Sequence, residues 1–186
     1  MTRVRWLLSF LTVGIMLIYP FVIWLGNEQL EPRYLALLFL LVALSQLFRV
    51  KNDCSWLWWT GGVLFLFALA LWANALLPLK LYPVLVNAGL LGLFAYSLVV
   101  PPTIIERIAR AQEADLPAAA VLYTRRVTQI WCVFFAVNGA IALVTAVWMP
   151  AVIWTLYNGL IAYLLMGLLF AGEYFARSRF KRRHHA

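Results

Sequence analysis

The stretch that decides the fold is PPTIIERIARAQEADLPAAAVLYTRRVTQIWCVFFAVN, residues 101–138. It begins as the long polar segment of the chain and runs directly into an apolar stretch at its end. The remaining chain consists of apolar runs of about 20 residues, the length that crosses a bilayer as a helix. Short islands of charge separate these runs. The pattern predicts a polytopic membrane protein.

The composition favours the same class. The 186 residues are 65% hydrophobic and 12% charged, whereas soluble domains average about 25% charged residues. Because backbone groups in hydrocarbon must bond internally, and the runs are too long for barrel strands, we expect an all-α transmembrane bundle. We predict a single integral membrane domain, 1–186, with spans at about 6–25, 34–48, 56–77, 84–100, 127–148 and 151–172, a cytoplasmic segment at 101–126 and a basic tail at 173–186.

The positions of the 15 lysines and arginines predict the orientation of these six spans. All of them except Arg33 and Lys80 fall on one side of the predicted membrane, and basic residues accumulate on the cytoplasmic side. Both termini are therefore expected to be cytoplasmic. The net charge of +8 then indicates contact with anionic lipids rather than nucleic acid, which would require a clustered basic face on a fold.

The polar segment predicts a short amphipathic helix at the membrane interface between spans four and five. Thr103 and Glu106 have the spacing of a capping box, and Glu106 and Arg110 that of an i,i+4 ion pair. Such a helix is either a plain connector or a docking surface or lid over a site in the bundle. Its predicted faces are apolar (Ile104, Ile105, Ile108) and charged (Glu106, Arg107, Arg110, Glu113).

A second helix is expected to begin at the N-cap Asp115 and to continue unbroken into span five. One stripe of it is polar, then small, and is expected to face the bundle: Arg125, Thr128, Gln129, Cys132, Ala136 and Gly139. The opposite stripe is expected to face lipid: Ile130, Phe134, Val137 and Ile141. A smooth face on span four, formed by Ala88, Gly92, Ala95 and Val99, suits internal packing and a homo-oligomer equally.

Polar side chains predicted at membrane depth are the first candidates for function. They are amides: Asn74, Asn87, Gln129, Asn138 and Asn158. Because amides are poor nucleophiles and proton carriers, we interpret Asn87, Gln129 and Asn138 as interhelical hydrogen-bonding residues. No catalytic residue, metal ligand or cofactor is predicted, since the chain has two cysteines, two histidines and no phosphate-loop, HExxH, GxSxG or DDxxD motif.

The candidate ligand site is at the predicted cytoplasmic interface. Arginines at headgroup depth can bind phosphate or carboxylate through two parallel hydrogen bonds. The alternative is that these residues only fix topology and contact anionic lipid. The candidate residues are Arg107, Arg110, Tyr123, Arg125 and Arg126.

Three segments carry a family resemblance: PPTIIERIAR (101–110), DLP (115–117) and RRVTQIWCVFFAVNGAIALVTAVWMPAVIW (125–154). They resemble a family of small bacterial inner-membrane proteins often encoded near fatty-acid-like or aryl-polyene-type biosynthesis genes. The C-terminal half, about residues 81–176, is also similar to the intracellular septation protein A family. The matching positions are Leu116, Pro117, Arg125, Arg126, Trp131, Phe134, Phe135, Asn138 and Trp154.

The resemblance implies a bacterial inner-membrane location and a link to envelope or lipid-type metabolism, and it supplies no active site. We therefore expect a non-catalytic accessory or scaffold protein, with membrane or acyl-biosynthesis proteins as partners. The alternative is a small membrane enzyme or flippase that handles an amphiphilic anionic substrate at the cytoplasmic interface.

Overall fold

A computed structural model describes Pro20, Tyr34, Leu37 and residues 54–73, 75–112 and 115–184. Apart from those first three residues, the predicted spans 6–25 and 34–48 lie outside the described residues, as do Asn74 and Glu113. Within the described ranges every regular element is a helix. The predicted all-α class is therefore confirmed for this part of the chain.

The helices, numbered in chain order, are α1 (Cys54–Ala73), α2 (Leu77–Lys80), α3 (Tyr82–Val99), α4 (Ile104–Arg110), α5 (Ala118–Trp148), α6 (Ala151–Leu156), a π-helical turn (Tyr157–Ile161) and α7 (Ala162–His184). Among the residues that the structure describes, three stretches are long and apolar enough to cross a membrane: Leu77–Val99 with 23 residues, Ala118–Trp148 with 31 and Ala151–Arg179 with 29. At about 1.5 Å per residue, even the shortest exceeds the roughly 30 Å hydrocarbon core of a bilayer. These dimensions are compatible with a membrane protein.

The segment from residue 78 to 83, which lies between two predicted spans, is helical. Pro78 lies in the first turn of α2, where a missing backbone N–H costs nothing. The Leu81 N–H donates to the Leu77 carbonyl at 3.1 Å, and the Leu81 carbonyl accepts from the Leu85 N–H at 3.1 Å. α2 and α3 therefore form one helical stretch, which begins at Leu77 instead of residue 84.

The start of α5 lies slightly beyond the predicted N-cap. Pro117, not Asp115, precedes the first helical residue, and its carbonyl accepts from the Ala120 and Val121 N–H groups at 2.9 and 3.2 Å. The fixed φ of proline suits it to this position. From Ala118 the helix continues to Trp148 without a break, as predicted.

The last helix is longer than the predicted sixth span. α7 continues through the basic tail to His184, although span six was expected to end at residue 172. From Glu173 onward the sequence contains no glycine and no proline. The backbone therefore meets no helix-breaking residue after the apolar part ends.

The described residues belong to two compact units, one formed by residues 1–85 and 141–161 and the other by 86–140 and 162–186. In the first unit Trp154 is fully buried, and its indole Nε1 donates to the Lys80 carbonyl at 3.1 Å. Asn158, in the π-helical turn, donates to the Thr145 hydroxyl at 3.3 Å and to the Trp154 carbonyl at 3.0 Å. The polar groups of this core are thus bonded to one another, as burial in an apolar medium requires.

The core of the second unit is aromatic. Val127, Trp131 and Phe135 on α5 are buried together. The Phe94 ring of α3 lies edge-on to Phe135, with centroids 5.2 Å apart, and the Trp131 and Phe170 rings lie 4.6 Å apart. Aromatic contacts of this kind add to the stabilisation from burial alone. We call Val127, Trp131 and Phe135 the aromatic cluster.

The face that α5 buries agrees with the predicted polar-to-small stripe at Thr128, which is fully buried, but not along the whole stripe. Arg125, Gln129 and Ala136 are exposed. The predicted lipid-facing residues Ile130 and Val137 are exposed, but Phe134 packs against the aromatic cluster. Because Trp131 and Phe135 bury more apolar area than small residues, their burial fixes the helix rotation. The buried stripe contains Thr124, Val127, Thr128, Trp131, Phe135, Asn138, Ala142, Thr145 and Ala146.

Candidate functional site

The site begins at the N-terminus of α4, which is fixed by two side-chain hydroxyls. The buried Thr103 Oγ1 accepts from the Glu106 N–H at 3.3 Å and caps the helix as predicted. The Ile104 N–H donates to Ser97 Oγ at 3.2 Å, and that hydroxyl donates to the Phe94 carbonyl at 2.8 Å. Ser97 belongs to the last turn of α3, so α4 starts beside the end of a membrane-length helix.

The predicted ion pair between Glu106 and Arg110 is present. Arg110 donates through Nε at 2.9 Å and through Nη2 at 2.8 Å, both to Glu106 Oε1. Glu106 was expected on the charged outer face, but only 8% of its side chain is exposed, against 42% for Arg110. A buried carboxylate needs such charge-assisted bonds, because its charge is otherwise costly to remove from water. Arg110 therefore has a structural role, which is to neutralise the buried Glu106 carboxylate.

Arg107 lies on the outside of α4. Its Nε donates to the Pro102 carbonyl at 3.0 Å, and the side chain is exposed. The bond uses only Nε, so the two terminal nitrogens of the guanidinium keep the paired geometry that binds a phosphate or carboxylate. The backbone contact therefore constrains the orientation of the Arg107 side chain.

Tyr123 joins α5 to α7 within the second unit. Its side chain is half-buried against the aromatic cluster, and its hydroxyl donates to the Glu173 carbonyl at 3.4 Å. Arg177, one turn further along α7, donates to Gln112 Oε1 at 3.1 Å. These two bonds attach the polar segment and the start of α5 to adjacent turns of α7. The role of Tyr123 in the structure is to hold helices together.

Arg125 and Arg126 are both exposed near the start of α5. Consecutive helical residues point about 100° apart, so the two guanidinium groups do not face each other. This geometry suits two separate contacts with anionic groups better than one shared clamp.

The candidate amides fall into two groups. Asn87 on α3 and Asn138 on α5 are buried, and Asn138 Nδ2 donates to Asn87 Oδ1 at 3.1 Å. Gly139 lies beside them, and a Cβ added there would be 3.0 Å from the Cβ of Asn87. The small glycine allows the two helices to approach at this point. Gln129, in contrast, is exposed.

The chemical capacity of the site is anion binding. Exposed guanidinium groups beside apolar helices can bind lipid phosphates or the carboxylates of a partner protein. In residues 54–73, 75–112 and 115–184, no three His, Cys, Asp or Glu side chains are grouped to hold a metal ion.

Several contacts of the site could not be read from the sequence. The partners of Arg107 and Tyr123 are backbone carbonyls, which every residue carries. Gln112 and Arg177 are 65 positions apart and form no recognisable motif. The bond from the Ile104 N–H to Ser97 had one signal in the sequence. Ser97 is a hydroxyl residue in the last turn of a predicted helix that directly precedes a Pro-Pro pair.

Comparisons with known proteins add no assignment to this geometry. No protein-family model, curated protein or solved structure matches the chain significantly. The family resemblance carried by residues 101–110, 115–117 and 125–154 therefore stays a prediction.

Proposed function

We propose that this chain is a six-span protein of the bacterial inner membrane, with both termini in the cytoplasm. In this role it is a non-catalytic accessory protein that organises a cell-envelope or acyl-type biosynthetic assembly through its cytoplasmic face. The resemblance of residues 101–154 to envelope-linked families is the basis for the pathway.

The observation that carries the docking role is a set of exposed arginines on helices that are held in place. Arg107, Arg125 and Arg126 are exposed. The helices that bear them are held by Thr103, which caps α4, and by Tyr123, which bonds to α7. Arginines on helices that are held in place favour an acidic partner, because complementary charge steers association and excludes wrong partners.

The buried amides support a structural rather than a chemical role for the membrane interior. Asn87 and Asn138 bond to each other, and Asn158 bonds to Thr145 and to the Trp154 carbonyl. Amides paired in this way join helices.

The proposed orientation is supported by the two ends of α5. Exposed arginines stand near its start, and Trp148, with 69% of its surface exposed, stands at its last residue. The rise from Arg126 to Trp148 is about 33 Å, close to the thickness of a bilayer core. Arginine favours the cytoplasmic boundary, and tryptophan favours either interface. Both preferences are met when the start of α5 is cytoplasmic.

The experiment is complementation of a gene deletion with charge variants of the full chain. We expect Arg125→Glu with Arg126→Glu to lose the envelope or acyl-type product, measured by mass spectrometry of lipid extracts. Arg125→Lys with Arg126→Lys, which keeps the charge, should restore most of it. Membrane insertion of each variant is checked by fractionation. Full complementation by the glutamate variant at normal membrane levels would contradict the proposal.

One feature favours the second candidate, an enzyme or flippase for an anionic amphiphile. Leu122, with 62% of its surface exposed, lies within one helical turn of Arg125 and Arg126. This places an apolar contact beside two cations, as an amphiphile requires. Native mass spectrometry discriminates the two roles. A bound acyl species that disappears in the glutamate variant supports the enzyme or flippase, and a bound protein that disappears supports the accessory role.

A further inference from the structure

The outward side of α4 is a mixed apolar and basic stripe. Ile104, Arg107, Ile108 and Ala111 follow the i, i+3, i+4, i+7 spacing that places residues on one face of a helix. We call them the outer stripe. Ile108 has 52% of its surface exposed, Arg107 and Ala111 are also exposed, and Ile104 is half-buried. The opposite side, with Glu106 and Ala109, is buried.

The depth of the outer stripe follows from the hydrogen bond at the start of α4. The Ile104 N–H is bonded to Ser97 Oγ, and Ser97 lies two residues before the last residue of α3. Two residues of helix rise about 3 Å. α4 therefore begins level with the end of a helix that is long enough to cross the membrane. That level corresponds to the lipid headgroups.

The side chains of the stripe match the two chemistries found at that level. Ile104 and Ile108 are apolar and stand one turn apart, so both can enter the boundary of the acyl chains. Arg107 lies between them on the same face, with its Nε held by the Pro102 carbonyl. Its terminal nitrogens can donate to two oxygens of one phosphate.

We propose that the outer stripe binds an anionic phospholipid of the cytoplasmic leaflet. Ile104 and Ile108 contact the upper acyl chains, and Arg107 binds the phosphate. The opposite side of α4 is buried at Glu106 and Ala109, so the outer stripe is the side left for lipid. This lipid contact rests on the proposed cytoplasmic orientation of α4 and on the membrane crossing of Leu77–Val99, but it needs no protein partner; its tests change Ile108 and Arg107, whereas the docking role is tested at Arg125 and Arg126.

The first test measures the depth of α4 in the full-length protein. Cys54 and Cys132 are replaced by serine, and a fluorescent label is attached after Ile108→Cys or, as the control, after Asp115→Cys. The protein is reconstituted in vesicles of phosphatidylcholine and phosphatidylglycerol. Lipids that carry a quencher near the headgroup should quench the label at position 108 more than the label at 115, which is exposed beyond α4. Equal or weaker quenching at 108 would overturn the proposal.

The second test measures lipid selectivity. Native mass spectrometry compares the phosphatidylglycerol and phosphatidylcholine retained by the wild type and by Arg107→Ala, with Arg179→Ala as a control that removes the same charge elsewhere. Loss of one arginine near a charged leaflet lowers affinity about fivefold. We expect Arg107→Ala to lose about fivefold of its selectivity for phosphatidylglycerol. Arg179→Ala should keep the selectivity of the wild type. Equal selectivity in the two variants would refute the phosphate contact, as would displacement of the bound lipid by inorganic phosphate.

Discussion

Gly139 permits the close approach of α5 to α3, and its replacement gives the sharpest test of the packing described above. A Cβ at position 139 would stand 3.0 Å from the Asn87 Cβ, which is closer than side chains tolerate without movement. The same substitution at Gly92 meets no atom within 4 Å. Both glycines lie inside helices, so replacing either one by alanine should stabilise its helix by about 0.5–1 kcal/mol. The difference between Gly139→Ala and Gly92→Ala therefore isolates the steric cost.

The magnitude of that cost is set by overpacking, which typically destabilises a core by about 1–3 kcal/mol. Movement of Asn87 also strains its bond to Asn138, and an interhelical hydrogen bond in a membrane contributes roughly 0.6 kcal/mol. We expect Gly139→Ala to be about 1–3 kcal/mol less stable than Gly92→Ala. The assay is equilibrium unfolding of the purified full chain in mixed micelles, followed by circular dichroism.

A background substitution at Asn87 shows whether the clash is the cause. Asn87→Gly removes the opposing Cβ, so adding Gly139→Ala to it should cost little. Asn87→Ala keeps that Cβ, so the penalty should persist. Equal stability of Gly139→Ala and Gly92→Ala would refute the reasoning, and so would a penalty that is unchanged in the Asn87→Gly background.

Two further predictions concern individual hydrogen bonds, and a third concerns the topology. Trp154→Phe should lower the free energy of unfolding by about 0.5–1.5 kcal/mol, because it removes the indole bond to the Lys80 carbonyl. The same change at the exposed Trp148 should have no measurable effect, and equal losses would contradict the role of that bond. Thr103→Ala should destabilise the start of α4 by about 1 kcal/mol, seen as faster hydrogen exchange of its amides, whereas Thr103→Ser keeps the cap oxygen and should exchange like the wild type. Reporter fusions at Lys80 should give an external signal, and a cytoplasmic signal there would contradict the six-span topology.

The features that sequence predicted well are those set by local chemistry. The Thr103 cap and the Glu106–Arg110 pair depend on residues three and four positions apart, and the structure contains both. The continuity of α5 from the polar segment into the apolar run was also visible, because residues 118–148 contain no proline.

The features that sequence did not predict depend on contacts between distant segments. The rotation of α5 was predicted correctly at Thr128, which is buried, but not at Gln129 and Ala136, which are exposed. In the structure Trp131 and Phe135 are buried with Phe94 of α3, and Gln129 faces outward. The isolated pattern of one helix does not reveal which aromatic rings its neighbours supply.

The extension of α7 beyond its apolar part changes how its cations can be used. Glu173 to His184 form a continuation of the helix, about 16 Å long at the usual rise. A disordered tail would lose roughly 1–2 kcal/mol of backbone entropy for each residue ordered on binding. In α7 the backbone is already ordered before any partner binds, so this entropy is not lost on binding. A partner of the basic end therefore meets a backbone that is already helical as far as His184.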